Sequence, residues 1–104
     1  MDDRKLLELA AKASGADVIA WEGKLIHNTG TAYVIREWNP LTDDGDALRL
    51  AVRLQMDIFT YVNGASAEAT TASGPVIKRK HDLDALSATR RAIVRAAAAI
   101  GEGM

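Results

Sequence analysis

Ile58-Phe59-Thr60-Tyr61-Val62 is the strongest strand candidate in the chain. All five side chains are β-branched or aromatic, the types that fit a pleated surface. Asn63-Gly64 directly after it is a hairpin signal, because both central residues of the tight turn need a positive φ. A strand packed on one face alternates apolar and polar side chains. This run is apolar at both parities, and so are Val18-Ile19-Ala20-Trp21 and Tyr33-Val34-Ile35. That pattern predicts a central sheet covered on both faces.

Working outward, three helices are available as cover. The first is predicted over Asp3–Ser14, with Leu6, Leu9, Ala10 and Ala13 at helical spacing and Leu7 beside them. Gly15 suits the left-handed position that ends it. Asn39-Pro40 halts the strand before it, since proline lacks the N–H and pushes its predecessor away from helix. A second helix is predicted from Asp43 or Asp44 to Gln55, with Leu48, Ala51, Val52 and Gln55 in one row, flanked by Ala47, Leu50 and Leu54. Arg49 and Arg53 fall on its polar side. The third is predicted from Leu83 or Ala85 to Ile100, with Asp82, Asp84 and Ser87 as alternative caps and Gly101 as the stop. The Ala96–Ala99 run reads as good helix former.

Ser66–Thr71, made of small side chains, is expected as an edge strand. Residues 24–30 and 76–81 are left open between strand and loop. The expected fold is α+β: a three-layer α/β/α sandwich in the order α-β-β-α-β-β-α, its central sheet of about four strands covered by three helices. Trp21 is expected in the core and Trp38 as its lid, with Phe59 and Tyr61 in the core strand.

The chain has 104 residues, which makes residues 1–104 a single domain. Apolar residues make up 48%, and 19 of them are alanines, so the core is modest. A charged fraction of 26% and a net charge of −1 argue against disorder. With no cysteine there is no disulfide and no thiolate site. No apolar run is long enough to span a membrane, and the polar, acidic start Met1-Asp2-Asp3 is unlike a signal peptide, so a cytoplasmic location is expected. Residues 1–48 carry five Lys and Arg against nine Asp and Glu, a net of −4, and residues 49–104 carry eight against five, a net of +3.

Asp43-Asp44-Gly45-Asp46 could suggest a hard-cation site. The acids are nearly contiguous, however, and such a site needs oxygens converging from spaced positions. The preferred reading is a helix start: Thr42, Asp43 or Asp44 caps the free N–H groups and the other acids meet the positive end of the dipole. His27 and His81 have no ligand or carboxylate partner at suitable spacing and are expected in solvent. There is no G-x-S-x-G elbow and no Gly-rich phosphate loop, Gly30, Gly45, Gly64 and Gly74 being isolated. No catalytic set, metal site or cofactor is therefore expected, and the chain reads as non-enzymatic. Lys78, Arg79, Lys80, Arg91 and Arg95 are the candidate nucleic-acid contacts. The competing reading, a solvated face paired with the acidic half of the chain, is preferred, so nucleic acid is disfavoured as a partner.

The run from Trp38 to Val52, WNPLTDDGDALRLAV, resembles the centre of the phage ABA-sandwich domain, a family of small bacteriophage and prophage proteins related in style to NinX-like proteins. Ala88–Ala97 is similar to the family's last helix, and Leu6–Gly15 more loosely to its first. The resemblance implies the sandwich fold and a phage or prophage origin, and it carries no catalytic residue. Within the motif Asn39 and Pro40 turn the chain out of the sheet, Leu41 acts as a hydrophobic staple, and Asp43 and Asp44 cap the helix. The expected role is an accessory protein that binds another protein, with host factors among the candidates. A homodimer is also open, through the edge at Ser66–Thr71 and the opposite charges of the two halves.

Overall fold

The computed structural model describes residues 2–28, 36–61, 64–69, 77–80 and 85–104. Among them the chain is α+β, with three α-helices, α1 (Asp3–Ser14), α2 (Asp44–Arg53) and α3 (Ala85–Glu102). The strands are β1 (Val18–Trp21), β2 (Lys24–His27), β3 (Met56–Tyr61), β4 (Gly64–Ala69) and β5 (Ile77–Lys80). The expected strand at Tyr33–Ile35 and the caps Asp82 and Asp84 lie outside the described residues.

α1 has the expected bounds. Asp2 caps it by accepting from the Lys5 N–H, and Gly15 closes it at a φ of 75°. β1 and β2 form a hairpin whose two-residue turn, Glu22-Gly23, has positive φ at both positions, the geometry that matches strand twist. Arg4 of α1 donates to the Gly23 carbonyl and holds that turn against the helix. Residues 36–38 continue the sheet on the other side of β2, through an Ile26–Glu37 bridge and the bonds His27 N to Arg36 O and Trp38 N to Leu25 O.

β3, β4 and β5 form a second antiparallel sheet, joined in that order. Tyr61 pairs with Gly64, so Gly64 belongs to the return strand and not to the turn expected at Asn63-Gly64, and Asn63 lies outside the described residues. Gln55, at a φ of 55°, reverses the chain between α2 and β3.

Three expectations about packing are corrected. The described strands fall into two sheets rather than one, and the element in the middle is a helix: α3 packs on α1 and α2 and across β3, β4 and β5. Its Ala88, Ala92, Ala96, Ala97 and Ala98 are buried, because contact on more than one side leaves no room for long side chains. β4 is the central strand of its sheet, not an edge, which removes the edge argument for a homodimer. β3 alternates, with Met56 and Ile58 toward the core and Phe59 46% exposed, so its apolar composition does not mean cover on both faces. Trp21 is likewise 41% exposed rather than core, while Trp38 is buried as expected.

α1 and α3 run parallel, since Arg91 binds Asp3 and Lys12 binds the Met104 carbonyl. Gly101 does not stop α3. It lies inside the helix, buried, where a Cβ would come within 1.9 Å of the Leu9 carbonyl oxygen. The glycine is there because the helices touch through backbone. Gly101→Ala is expected to force α1 away from α3 and to cost about 1–3 kcal/mol in urea unfolding. Gly103→Ala, where the nearest atom is 3.6 Å from the new Cβ, should change stability by less than about 0.5 kcal/mol.

Candidate functional site

Antiparallel pairing places opposed residues on the same side of a sheet. Val18 opposes His27 and His27 opposes Arg36, so these three form one row across the first sheet. In the neighbouring row Leu25 opposes Trp38. α2 faces these rows with Asp46, Arg49, Leu50 and Arg53, spaced i, i+3, i+4 and i+7 along one side of a helix.

The turn into α2 is built on Asn39. Its side-chain oxygen accepts from the Leu41 N–H, and its carbonyl accepts from the N–H groups of Thr42 and Asp43. Pro40 is buried in this turn and Leu41 packs half-buried against the core, as the staple reading expects. Asp43 is the cap: its carboxylate accepts from the Asp46 N–H at 2.8 Å. Asp44 instead pairs with Arg90 of α3, which also donates to the Leu41 carbonyl and Ser87.

Asp46 is not a spectator of the helix dipole. Its side chain is 2% exposed. One oxygen meets His27 Nε2 at 2.7 Å and an Arg49 Nη2 donor at 2.8 Å, and the other accepts from the Asn39 N–H at 2.9 Å. Burial by itself is the largest influence and would raise the carboxyl's pKa. The Asn39 amide, the Arg49 guanidinium and His27 together outweigh it and hold the group below the usual carboxylate range. His27 is therefore not a solvated loop residue: it lies in β2, largely buried, and is tied to Asp46. The sequence signal was present only as an acid at the third helical position, where a carboxylate ordinarily turns back to its own cap.

Asp44 turns to Arg90, while Asp43 and Asp46 share the Arg49 guanidinium. Among the described residues no group of three or more His, Asp or Glu could hold a metal. Beside Asp46 lies a half-open cleft of about 390 Å³, with Val18, Trp38 and Leu50 as its apolar wall and His27, Arg36, Arg49, Arg53 and Asp17 among its polar groups. Arg53 and Asp17 make a loose, exposed pair at 3.5 Å. The cleft has a histidine, two nearby carboxylates in Asp17 and Asp46, and Ser14, whose hydroxyl is spent on the Ala11 carbonyl.

The nucleic-acid candidates lie on two elements that pack against each other, β5 and α3. Lys78, Arg79 and Lys80 lie in β5, and the structure describes their backbone alone. Arg91 is held by both oxygens of Asp3, and that bond lowers the Asp3 pKa against the effect of partial burial, with the charges of Arg91 and Arg95 adding to it. The same bond raises the pKa of Arg91. Arg90 and Arg91 thus pair with acids of the N-terminal half, as the preferred reading expects. His81 lies outside the described residues.

Set against known protein families, curated proteins and solved structures, the chain matches none of them. Its site must therefore be argued from its own geometry.

Asp43→Ala is expected to cost about 0.5–2 kcal/mol, and calcium or magnesium should leave the melting temperature unchanged. A cation-dependent rise of several degrees would reveal a metal site instead of a cap. Asp46→Asn should cost about 1.5–3 kcal/mol at neutral pH, since charged hydrogen bonds are lost in a buried place. The sign of the pH dependence follows from the lowered folded pKa values of Asp46 and Asp3. Their contribution is fully present above the unfolded value near 4 and is lost as pH falls through the lower folded values. Urea unfolding of the wild type should therefore weaken below about pH 4, and less steeply in Asp46→Asn.

Proposed function

We propose that this chain is a phage- or prophage-encoded accessory protein of the bacterial cytoplasm that acts by binding another protein and catalyses no reaction. The observation that carries the protein-binding reading is the outer face of α2. Leu48 and Val52, one turn apart, are 60% and 69% exposed. They are the row that sequence periodicity marks for the core, and Asp46 turns them outward by drawing the opposite side of the helix onto β2. Ile19, Trp21 and Phe59 add exposed apolar groups on the strands. Adjacent exposed apolar side chains gain about 25 cal/mol per Å² when covered, which favours a partner over solvent. The resemblance of Trp38–Val52 to the phage ABA-sandwich domain supports the origin, and no helix among the described residues is long and apolar enough to cross a membrane.

Affinity capture from a bacterial lysate, run in parallel with the wild type and with Leu48→Glu/Val52→Glu, tests the reading. Both positions are exposed, so the variant should keep its circular dichroism spectrum and lose less than about 1 kcal/mol of stability. A protein retained by the wild type and lost from the variant is the expected result. Recovery of no specific protein, or equal recovery by both, would overturn it.

The alternative is nucleic-acid binding through the basic C-terminal half, and the bonding of Arg91 to Asp3 weighs against it. In a gel shift at roughly 0.15 M salt, duplex and single strands should stay unbound at micromolar protein. Submicromolar binding lost in Lys78→Glu/Arg91→Glu would reverse the ranking.

A further inference from the structure

We infer that the cleft between the first sheet and α2 is a binding site for a phosphomonoester dianion attached to a small apolar body. The inference is independent of the protein-binding reading and uses a different side of α2.

Three guanidinium groups reach this cleft from two walls: Arg36 from the strand side, and Arg49 and Arg53 from the helix side. His27 lies between them. Against these stands Asp17 in the cleft lining, and Asp46 behind it. Asp43 also lies behind Arg49, at 3.7 Å, so three guanidinium groups stand against three carboxylates, of which only Asp17 lines the cleft itself.

The bonding of each group decides its part. Asp46 holds Arg49 and His27 in place, so both are oriented before any ligand arrives. His27 spends Nε2 on this bond, which leaves Nδ1 as its second polar atom. Arg53 has only the exposed 3.5 Å pair with Asp17, of a kind worth little in water and readily exchanged for a stronger anion. The Arg36 side chain is exposed and has no hydrogen-bond or ion-pair partner among the described residues. An exposed arginine beside two others adds to a field that attracts negative charge.

The class of anion follows from the geometry. A carboxylate is planar and is satisfied by one guanidinium fork. Donors arriving from opposite walls fit a tetrahedral group, whose oxygens point in several directions. The apolar wall of Val18, Trp38 and Leu50 fits an organic body rather than free phosphate, and the volume of about 390 Å³ falls in the range of small-molecule sites.

The test is a titration of the ¹⁵N-labelled full chain, at low salt, with phenyl phosphate and with inorganic phosphate, followed by amide and guanidinium chemical shifts. Saturable shifts at Asn28, Arg36, Arg49 and Arg53 are expected, with phenyl phosphate the tighter of the two. Arg36→Gln, which removes no side-chain bond among the described residues, should weaken phenyl phosphate about tenfold, the effect of one charge-assisted bond. Asp17→Asn should tighten it by freeing Arg53, whereas Arg4→Gln, distant from the cleft, should leave it unchanged. Shifts that do not saturate, or an affinity that Arg36→Gln leaves within a factor of two, would overturn the proposal. Equal affinity for both probes would keep the oxyanion site and refute the organic body.

Discussion

A single buried carboxylate organises the described half of this molecule that has chemistry in it. Asp46 sits at the third position of α2, where its own amide is already taken by the Asp43 cap. Its side chain is then free to leave the helix end, and it crosses to His27 on β2 and back to the Asn39 amide. A buried charge of this kind is tolerated only when it is fully hydrogen-bonded. Satisfying it sets both the rotation of α2 and its height against the sheet. With Asp46 turned inward, Leu50 follows one turn later into the core and Arg53 one turn after that along the cleft. Leu48 and Val52 are turned to solvent by the same rotation.

The other constraint is the position of α3. A helix with a sheet on one side and two helices on another needs small side chains nearly all round, and the alanines and Gly101 supply them. Short side chains bring backbones close, which increases dispersion contacts, but each buries little area. Polar ties at the rim fix the direction of the helix: Arg90 to Asp44 and Leu41, Arg91 to Asp3, and Lys12 to the Met104 carbonyl. Two of these ties, Arg90 to Asp44 and Arg91 to Asp3, pair the basic half of the sequence with the acidic half.

Much of the local structure was legible. α1 matches to the residue because its stop glycine and its spacing agree. The cap of α2 follows from cap chemistry, which is local, and Trp38 is buried as its size suggests. What was not legible depended on partners distant in sequence. The apolar row of α2 was assigned by hydrophobicity, yet the helix is apolar on both sides, and the side with Ala47, Leu50 and Ala51 faces in because it also carries Asp46 to its three hydrogen bonds. Gly101 resembles a helix stop until Leu9 is placed beside it. Ser66–Thr71 reads as an edge because small residues bury little, although β4 lies in the middle of its sheet with α3 packed against it. His27 carried no signal at all, since its partner is 19 positions away on another element.

Because one rotation of α2 produces both surfaces, the exposed Leu48–Val52 face and the arginine-lined cleft are two sides of one structural choice. An unburied leucine and valine on a helix carry a cost that a monomer could remove by turning through about half a turn. The chain does not do so: the turn would expose the buried Ala47, Leu50 and Ala51, carry Asp46 away from His27 and leave the Asn39 amide without its acceptor. Leaving a buried donor unsatisfied costs about 1–3 kcal/mol, and the loss of the charged bonds would add to it. Covering Leu48 and Val52 would be offset by uncovering Ala47, Leu50 and Ala51, so the apolar contributions nearly balance and the buried carboxylate decides which side of the helix faces in.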